Sequence, residues 1–151
     1  MILAALKDPV VSQDSQNGIL TASFAEENPL SILVAEDNFI NQKLAERILL
    51  RLGYKIDIVS DGKQVLDALR RKTYNVILMD VRMPEMDGFE ATMKVRQMAI
   101  EQPYIIAMTA NAMPEDKEEC LNMGMNNYIA KPMQMPEITN ILKNIAFIRA
   151  V

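Results

Sequence analysis

At 151 residues, half of them hydrophobic, the chain is one domain's worth of sequence, long enough to bury a sizeable core and too apolar to stay disordered. Its net charge of −4 contains no Lys/Arg run longer than the three residues Arg70–Lys72, so there is no electrostatic footprint for nucleic acid, and no apolar stretch approaches the length of a membrane span. Zero histidines exclude a His-based triad, most zinc sites and any phosphohistidine formed within the chain; the single cysteine, Cys120, excludes an internal disulfide and fits a reducing cytoplasm.

The N-terminus lacks the basic-then-apolar build of a signal peptide. "MILAALKD" reads as a short helix, and residues 8–29 mix Ser, Gln, Asn, Asp, Gly and Pro without a sustained period. Residues 1–29 are therefore expected to be a flexible leader, with Ile19, Leu20 and Phe24 as its only candidates for docking. Most of the net negative charge lies here, where Lys7 stands against Asp8, Asp14, Glu26 and Glu27.

From residue 30 to 151 a regular alternation predicts a single domain. "SILVA" (31–35) is a short apolar strand. Ile40, Leu44, Ile48 and Leu52 recur every fourth residue, which predicts the inward face of an amphipathic helix that Gly53 stops. "KIDIV" (55–59) alternates as a strand, and "SDG" turns into a helix carrying Val65, Leu66 and Leu69. "VILM" (76–79) is a third strand, followed by a Pro/Asp/Gly turn and a helix from about Phe89 to Met98. "YIIAM" (104–108) is the fourth strand, and a helix from about Pro114 ends at Gly124 with Cys120 on it as a small, partly buried side chain. "NYIA" (127–130) is the fifth, and Pro136 opens a last helix. Five strands alternating with five helices predict an α/β fold. The sheet is doubly wound and parallel, in the order 2-1-3-4-5 of flavodoxin-like proteins.

The polar residues fall at the strand ends. Glu36 and Asp37 follow the first strand, Asp80 the third, Thr109 the fourth and Lys131 the fifth. In the order 2-1-3-4-5 these ends are neighbours, about 4.8 Å apart, on the side where open α/β sheets bind ligands. A single Asp at a strand end is more often a turn or cap residue, and a single lysine is more often solvated; the convergence of five such residues carries the argument. One lysine cannot balance three carboxylates, and an all-oxygen site that is only partly protein suits Mg²⁺. Asp80, beside Lys131 and a cation, is then placed for nucleophilic attack on a phosphoryl group, with Thr109 and backbone N–H groups as donors to its oxygens.

The segments "ILVAEDNFINQKLAERIL", "VILMDVRMPEMDGFEAT", "IIAMTANAM" and "NYIAKP" closely resemble the receiver domain of two-component response regulators, and most of all the receivers of hybrid sensor histidine kinases. The resemblance runs from Leu30 to about Ile148. It implies that Asp80 is the phosphoacceptor, that Glu36, Asp37, Asp80 and the backbone carbonyl of Arg82 serve Mg²⁺, and that Lys131 pairs with the phosphoryl group. It implies a cis Lys131–Pro132 bond and a switch pair, Thr109 and Tyr128, although Tyr128 taken alone reads as a half-buried aromatic at a strand edge. It also implies a cytoplasmic phosphorelay protein that takes its phosphate from a histidine kinase or histidine phosphotransfer protein, hydrolyses it slowly and has no kinase activity of its own. A phosphorylation-dependent dimer is consistent with it.

Two other readings share parts of the pattern. A flavodoxin-like carrier needs a Ser/Thr/Gly-rich phosphate loop after strand one, where this chain has "EDNFINQ". A haloacid-dehalogenase-type phosphatase needs a second acid two residues after its nucleophile, which neither Asp80 nor Asp37 has.

Overall fold

The computed structural model describes residues 22–110 and 113–150. The elements are α1 (Ala22–Glu27), β1 (Ile32–Ala35), α2 (Phe39–Arg51), β2 (Asp57–Val59), α3 (Gly62–Arg71), β3 (Val76–Asp80), α4 (Gly88–Arg96), β4 (Tyr104–Thr109), α5 (Pro114–Asn122), β5 (Asn127–Ala130) and α6 (Met135–Ala150). All five strands are parallel, in the order β2-β1-β3-β4-β5, as expected.

The pleat divides the core in two. Val34, Leu78, Ile106 and Ile129 face one layer with Leu49, Ile138 and Leu142; Leu33, Ile77, Ile105 and Ala107 face the other with Val65, Ala91 and Val95. Both faces of β1, β3 and β4 are covered, which is why those strands read as unbroken apolar runs. β2 is an edge strand, exposed at Asp57 and half-buried beyond it, and starts two residues later than the sequence suggested.

Asn38, Asp61 and Asp87 cap α2, α3 and α4, each accepting a hydrogen bond from the backbone N–H three residues on, at 2.9–3.0 Å. Gly53, at φ 99°, takes the left-handed conformation that ends α2.

Two expectations need correction. The described part of the supposed leader is ordered: α1 buries Phe24, whose ring meets Tyr54 edge-on with centroids 6.2 Å apart. Ala25 N–H donates to the Leu52 carbonyl, and the Tyr54 hydroxyl to the Asn28 carbonyl. The helix suggested at "MILAALKD", and Ile19 and Leu20, lie outside the described residues. Phe24→Ala is expected to destabilise the protein by about 3 kcal/mol in urea unfolding, a cost typical of emptying an aromatic site. An unchanged midpoint would show that α1 is not part of the core.

The second correction concerns α2. Its buried residues are Ala45 and Leu49, followed by Leu52, whereas Phe39, Ile40 and Leu44 of the first turns lie exposed. The stripe expected to face inward from Ile40 turns away from the sheet at its start.

Two buried phenols make stability fall with alkali. Burial pushes Tyr54 up to about 12; Tyr74 reaches about 12 through burial and through its hydrogen bond to Asp57 at 2.5 Å. An unfolded chain releases these protons near pH ~10, so the folded state holds more protons between those values and loses stability as pH rises from about 10 to 12. Tyr54→Phe is expected to flatten that part of the melting-temperature profile; an unaltered slope would contradict the assignment.

Candidate functional site

Alternation along the strands brings the charged residues to one side. Glu36 continues the face of Val34, Asp80 that of Leu78, and Lys131 that of Ile129, all on the layer containing Ile106 and Met108. The Lys131 ammonium therefore reaches across β4 and meets Glu36 Oε1 and Asp80 Oδ2, each at 3.0 Å. Glu36 is 1% exposed and Asp80 4%, so water solvates neither carboxylate well and each depends on the lysine for a counter-charge. Burial alone would push the Lys131 ammonium down, but its hydrogen bonds and charge attraction to Glu36 and Asp80 outweigh this and hold it above the ordinary lysine value.

Asp37 is exposed at the mouth of the site. One carboxylate oxygen from each of Glu36, Asp37 and Asp80 lies within 4.8 Å of the others, a set that could hold a metal ion. Backbone N–H groups two residues on turn the carboxylates: Asn38 donates to Glu36 Oε2 at 3.1 Å, and Arg82 to Asp80 Oδ1 at 3.2 Å. Gln42 Nε2 donates to the Glu36 carbonyl at 2.6 Å, fixing α2 to the end of β1.

The turn after Asp80 has little freedom. The Val81 N–H donates to the Met108 carbonyl, and Gly88 N–H returns to the Val81 carbonyl at 2.9 Å. A Cβ on Gly88 would stand 2.3 Å from the Asp80 carbonyl oxygen. Of the two acids in "MPEMDG", Asp87 is used as the cap of α4 and Glu85 pairs with Lys63 at 3.6 Å. Lys131–Pro132 is cis, as the resemblance implied.

Beside Asp80 lies a hollow of about 380 Å³, lined by Asp80, Arg82, Thr109, Lys131, Asp116 and Glu119 among others. Thr109 pairs in register with Ala130, and Tyr128 with Ala107, so Thr109 and Tyr128 sit diagonally on the sheet face opposite Asp80. Tyr128 is half-buried, and Lys117 Nζ stands 5.5 Å from its ring centroid. Cys120 is buried along the same hollow, where burial and the neighbouring acids Glu119 and Asp116 push its thiol up, away from the reactive thiolate.

Glu36, Asp37, Asp80, Arg82, Thr109 and Lys131 therefore lie at or just beyond the carboxyl ends of their strands, whereas Tyr128 lies within β5, level with Ala107. The Glu36–Lys131 pair was not foreseen, although the shared alternation of residues 34/36 and 129/131 carries its signal. Asp116 and Glu119 on the wall of the hollow had no signal, since helix phase does not reveal which side of α5 meets the site.

A five-stranded 2-1-3-4-5 sheet with an acidic cluster and a lysine at its carboxyl end defines a receiver. The family model of the response regulator receiver domain matches residues 32–143, and the chain belongs to that family. It is 47% identical over 126 residues to hybrid signal transduction histidine kinase H of Dictyostelium discoideum, covering 80% of this chain but 9% of that protein. It is 37% identical over 122 residues to two-component response regulator 24 of Arabidopsis thaliana, covering 80% of this chain and 87% of that one. The chain thus spans a small part of its hybrid-kinase relatives. Among solved structures it is similar to the receiver domain of sensor histidine kinase PA1611 from Pseudomonas aeruginosa PAO1, described with a magnesium ion coordinated in the active-site cleft. The TM-score is 0.72 and the identity 42%, covering 78% of this chain and 98% of that one. Among the described residues no helix is long and apolar enough to cross a membrane.

Proposed function

We propose that this chain accepts a phosphoryl group on Asp80 from a phosphohistidine of a histidine kinase or histidine phosphotransfer protein, as one step of a cytoplasmic phosphorelay. The observation that carries the reading is Asp80 itself: a nearly buried carboxylate, paired to one ammonium it shares with Glu36, beside an open hollow. The residues fit Mg²⁺. Glu36, Asp37 and Asp80 supply closely spaced hard oxygens in excess of the single lysine charge, and the backbone carbonyl of Arg82, a residue lining the hollow, would be the further ligand. Bound there, the cation would offset negative charge on the transferring phosphoryl oxygens.

An Asp80 carboxylate oxygen attacks phosphorus in line with the donor's imidazole nitrogen. The O–P bond forms as the N–P bond breaks, and the nitrogen keeps the electron pair. Lys131 attends the phosphoryl oxygens, and Thr109 donates its hydroxyl to them. Tyr128, diagonal to Thr109 on the adjacent strand, follows that movement and carries the change to the α5–β5 surface. The acyl phosphate is either passed to another histidine or hydrolysed slowly; the chain is an acceptor rather than an enzyme with turnover. The receiver unit includes α1, ahead of residue 30, because Phe24 belongs to the core. Output is by protein contact, in a dimer or with a relay partner, without direct binding to nucleic acid or membrane.

The donor's docking site is the apolar start of α2. Phe39 is 66% exposed and Ile40 75%, directly after the acidic residues at the mouth of the site, and Leu44 lies one turn further on. This patch suits the apolar face of a helix that carries the donor histidine. Ile40→Asp is expected to slow transfer from a phosphorylated histidine phosphotransfer protein at least about tenfold, the effect of losing roughly 1.4 kcal/mol of contact. Labelling by acetyl phosphate, which needs no docking, is the control. Equal transfer rates in the variant and the wild type would place the docking site elsewhere.

A further inference from the structure

We propose that Lys117 is a positioning residue for the phosphoryl response, a latch whose ammonium holds the Tyr128 ring and ties α5 to β5 until Asp80 is modified. The inference rests on the phosphoacceptor reading of Asp80. Lys117 lies exposed on the first turn of α5, and its contact with Tyr128, 5.5 Å from nitrogen to ring centroid, crosses from that helix to the strand. The ring is half-buried against the layer that also holds Cys120 and Met125, so its position is coupled to the packing of α5. On either side of Lys117 in the helix, Asp116 and Glu119 line the hollow beside Asp80. One short segment thus presents two acids to the phosphorylation site and one cation to the aromatic ring.

A phosphoryl group brings about −1.5 to −2 charges to Asp80. It repels Asp116 and Glu119, which shifts α5 relative to β5 and carries the Lys117 ammonium away from the Tyr128 ring. That shift breaks the cation–π contact and frees the ring to turn. The cation–π contact therefore favours the arrangement seen here, and removing it should move the equilibrium toward the phosphorylated arrangement before any phosphate arrives.

The test uses the full chain with Mg²⁺ and the phosphoryl mimic beryllofluoride, followed by NMR. Lys117→Met is expected to raise the apparent beryllofluoride affinity about two- to fivefold, the range set by a solvent-exposed cation–π contact. In the free Lys117→Met protein the Tyr128 ring resonances should shift part of the way toward their positions in the wild-type complex. Lys117→Arg, which keeps a cation over the ring, should restore both wild-type values. In a Tyr128→Leu background Lys117→Met should have no effect on affinity, which separates the latch from a general change of surface charge. Wild-type affinity and wild-type Tyr128 shifts in Lys117→Met would overturn the latch while leaving the phosphoacceptor reading intact. Failure of the wild-type protein to bind beryllofluoride would overturn both.

Discussion

Asp80→Asn is expected to reduce phosphoryl labelling by acetyl phosphate in Mg²⁺ to background, because an amide cannot serve as the attacking oxygen. Among the described residues no other carboxylate has the same setting. Glu36 is deeper in the same ion pair and turned by the Asn38 N–H, and Asp37 is exposed. EDTA should have the same effect on the wild-type protein, since three carboxylates then face an incoming anion with one ammonium to offset them. The variant should also be more stable than wild type without metal, by about 1 kcal/mol, because it removes one charge from an over-supplied acidic cluster. For a chain of this size that is roughly 2–4 °C in Tm. Intact-protein mass spectrometry and a thermal melt in EDTA read both outcomes; full labelling of the Asn variant would sink the assignment of Asp80.

Gly88→Ala is expected to be among the most damaging single-methyl additions in the chain. The new Cβ would meet the Asp80 carbonyl oxygen at 2.3 Å and the Val81 Cα at 3.0 Å, both backbone atoms that no side-chain rotation can move. Either α4 retreats from β3, breaking the Gly88–Val81 hydrogen bond, or the end of β3 shifts and carries the Asp80 carboxylate out of reach of Lys131. A loss of about 3 kcal/mol in urea unfolding, at the upper end of overpacking costs, is expected, together with slower labelling by acetyl phosphate. Wild-type stability and labelling would show that the turn yields more easily than its hydrogen bonds suggest.

How far the sequence revealed this arrangement depended on whether a short-range rule was in command. Strands β1, β3 and β4 were legible because parallel strands covered on both faces must be apolar throughout, and "ILVA", "VILM" and "YIIAM" are. The polar residues just beyond them were legible for the same reason: a charge at the end of such a run has no local explanation. Helix α2 shows where the rule fails. It carries apolar side chains at Phe39, Ile40 and Leu44 as well as at Ala45, Leu49 and Leu52, so periodicity allows more than one inward stripe, and the packing against β1 and α1 selects the second. Phe24 could be named only as a candidate for docking, because six helical residues give too short a window for a period, and its partner Tyr54 lies thirty positions away. The Lys117–Tyr128 contact depends on how α5 is rotated against β5, which no spacing within either element specifies.

The most direct measurement of the central claim is to phosphorylate the protein with a radiolabelled histidine phosphotransfer donor, reduce the product with borohydride and sequence it by mass spectrometry. An aspartyl phosphate is converted to homoserine by this treatment. The account predicts a single homoserine, at position 80, in proportion to the label transferred. Label without homoserine at position 80, or homoserine at another carboxylate while Asp80 remains intact, would contradict it.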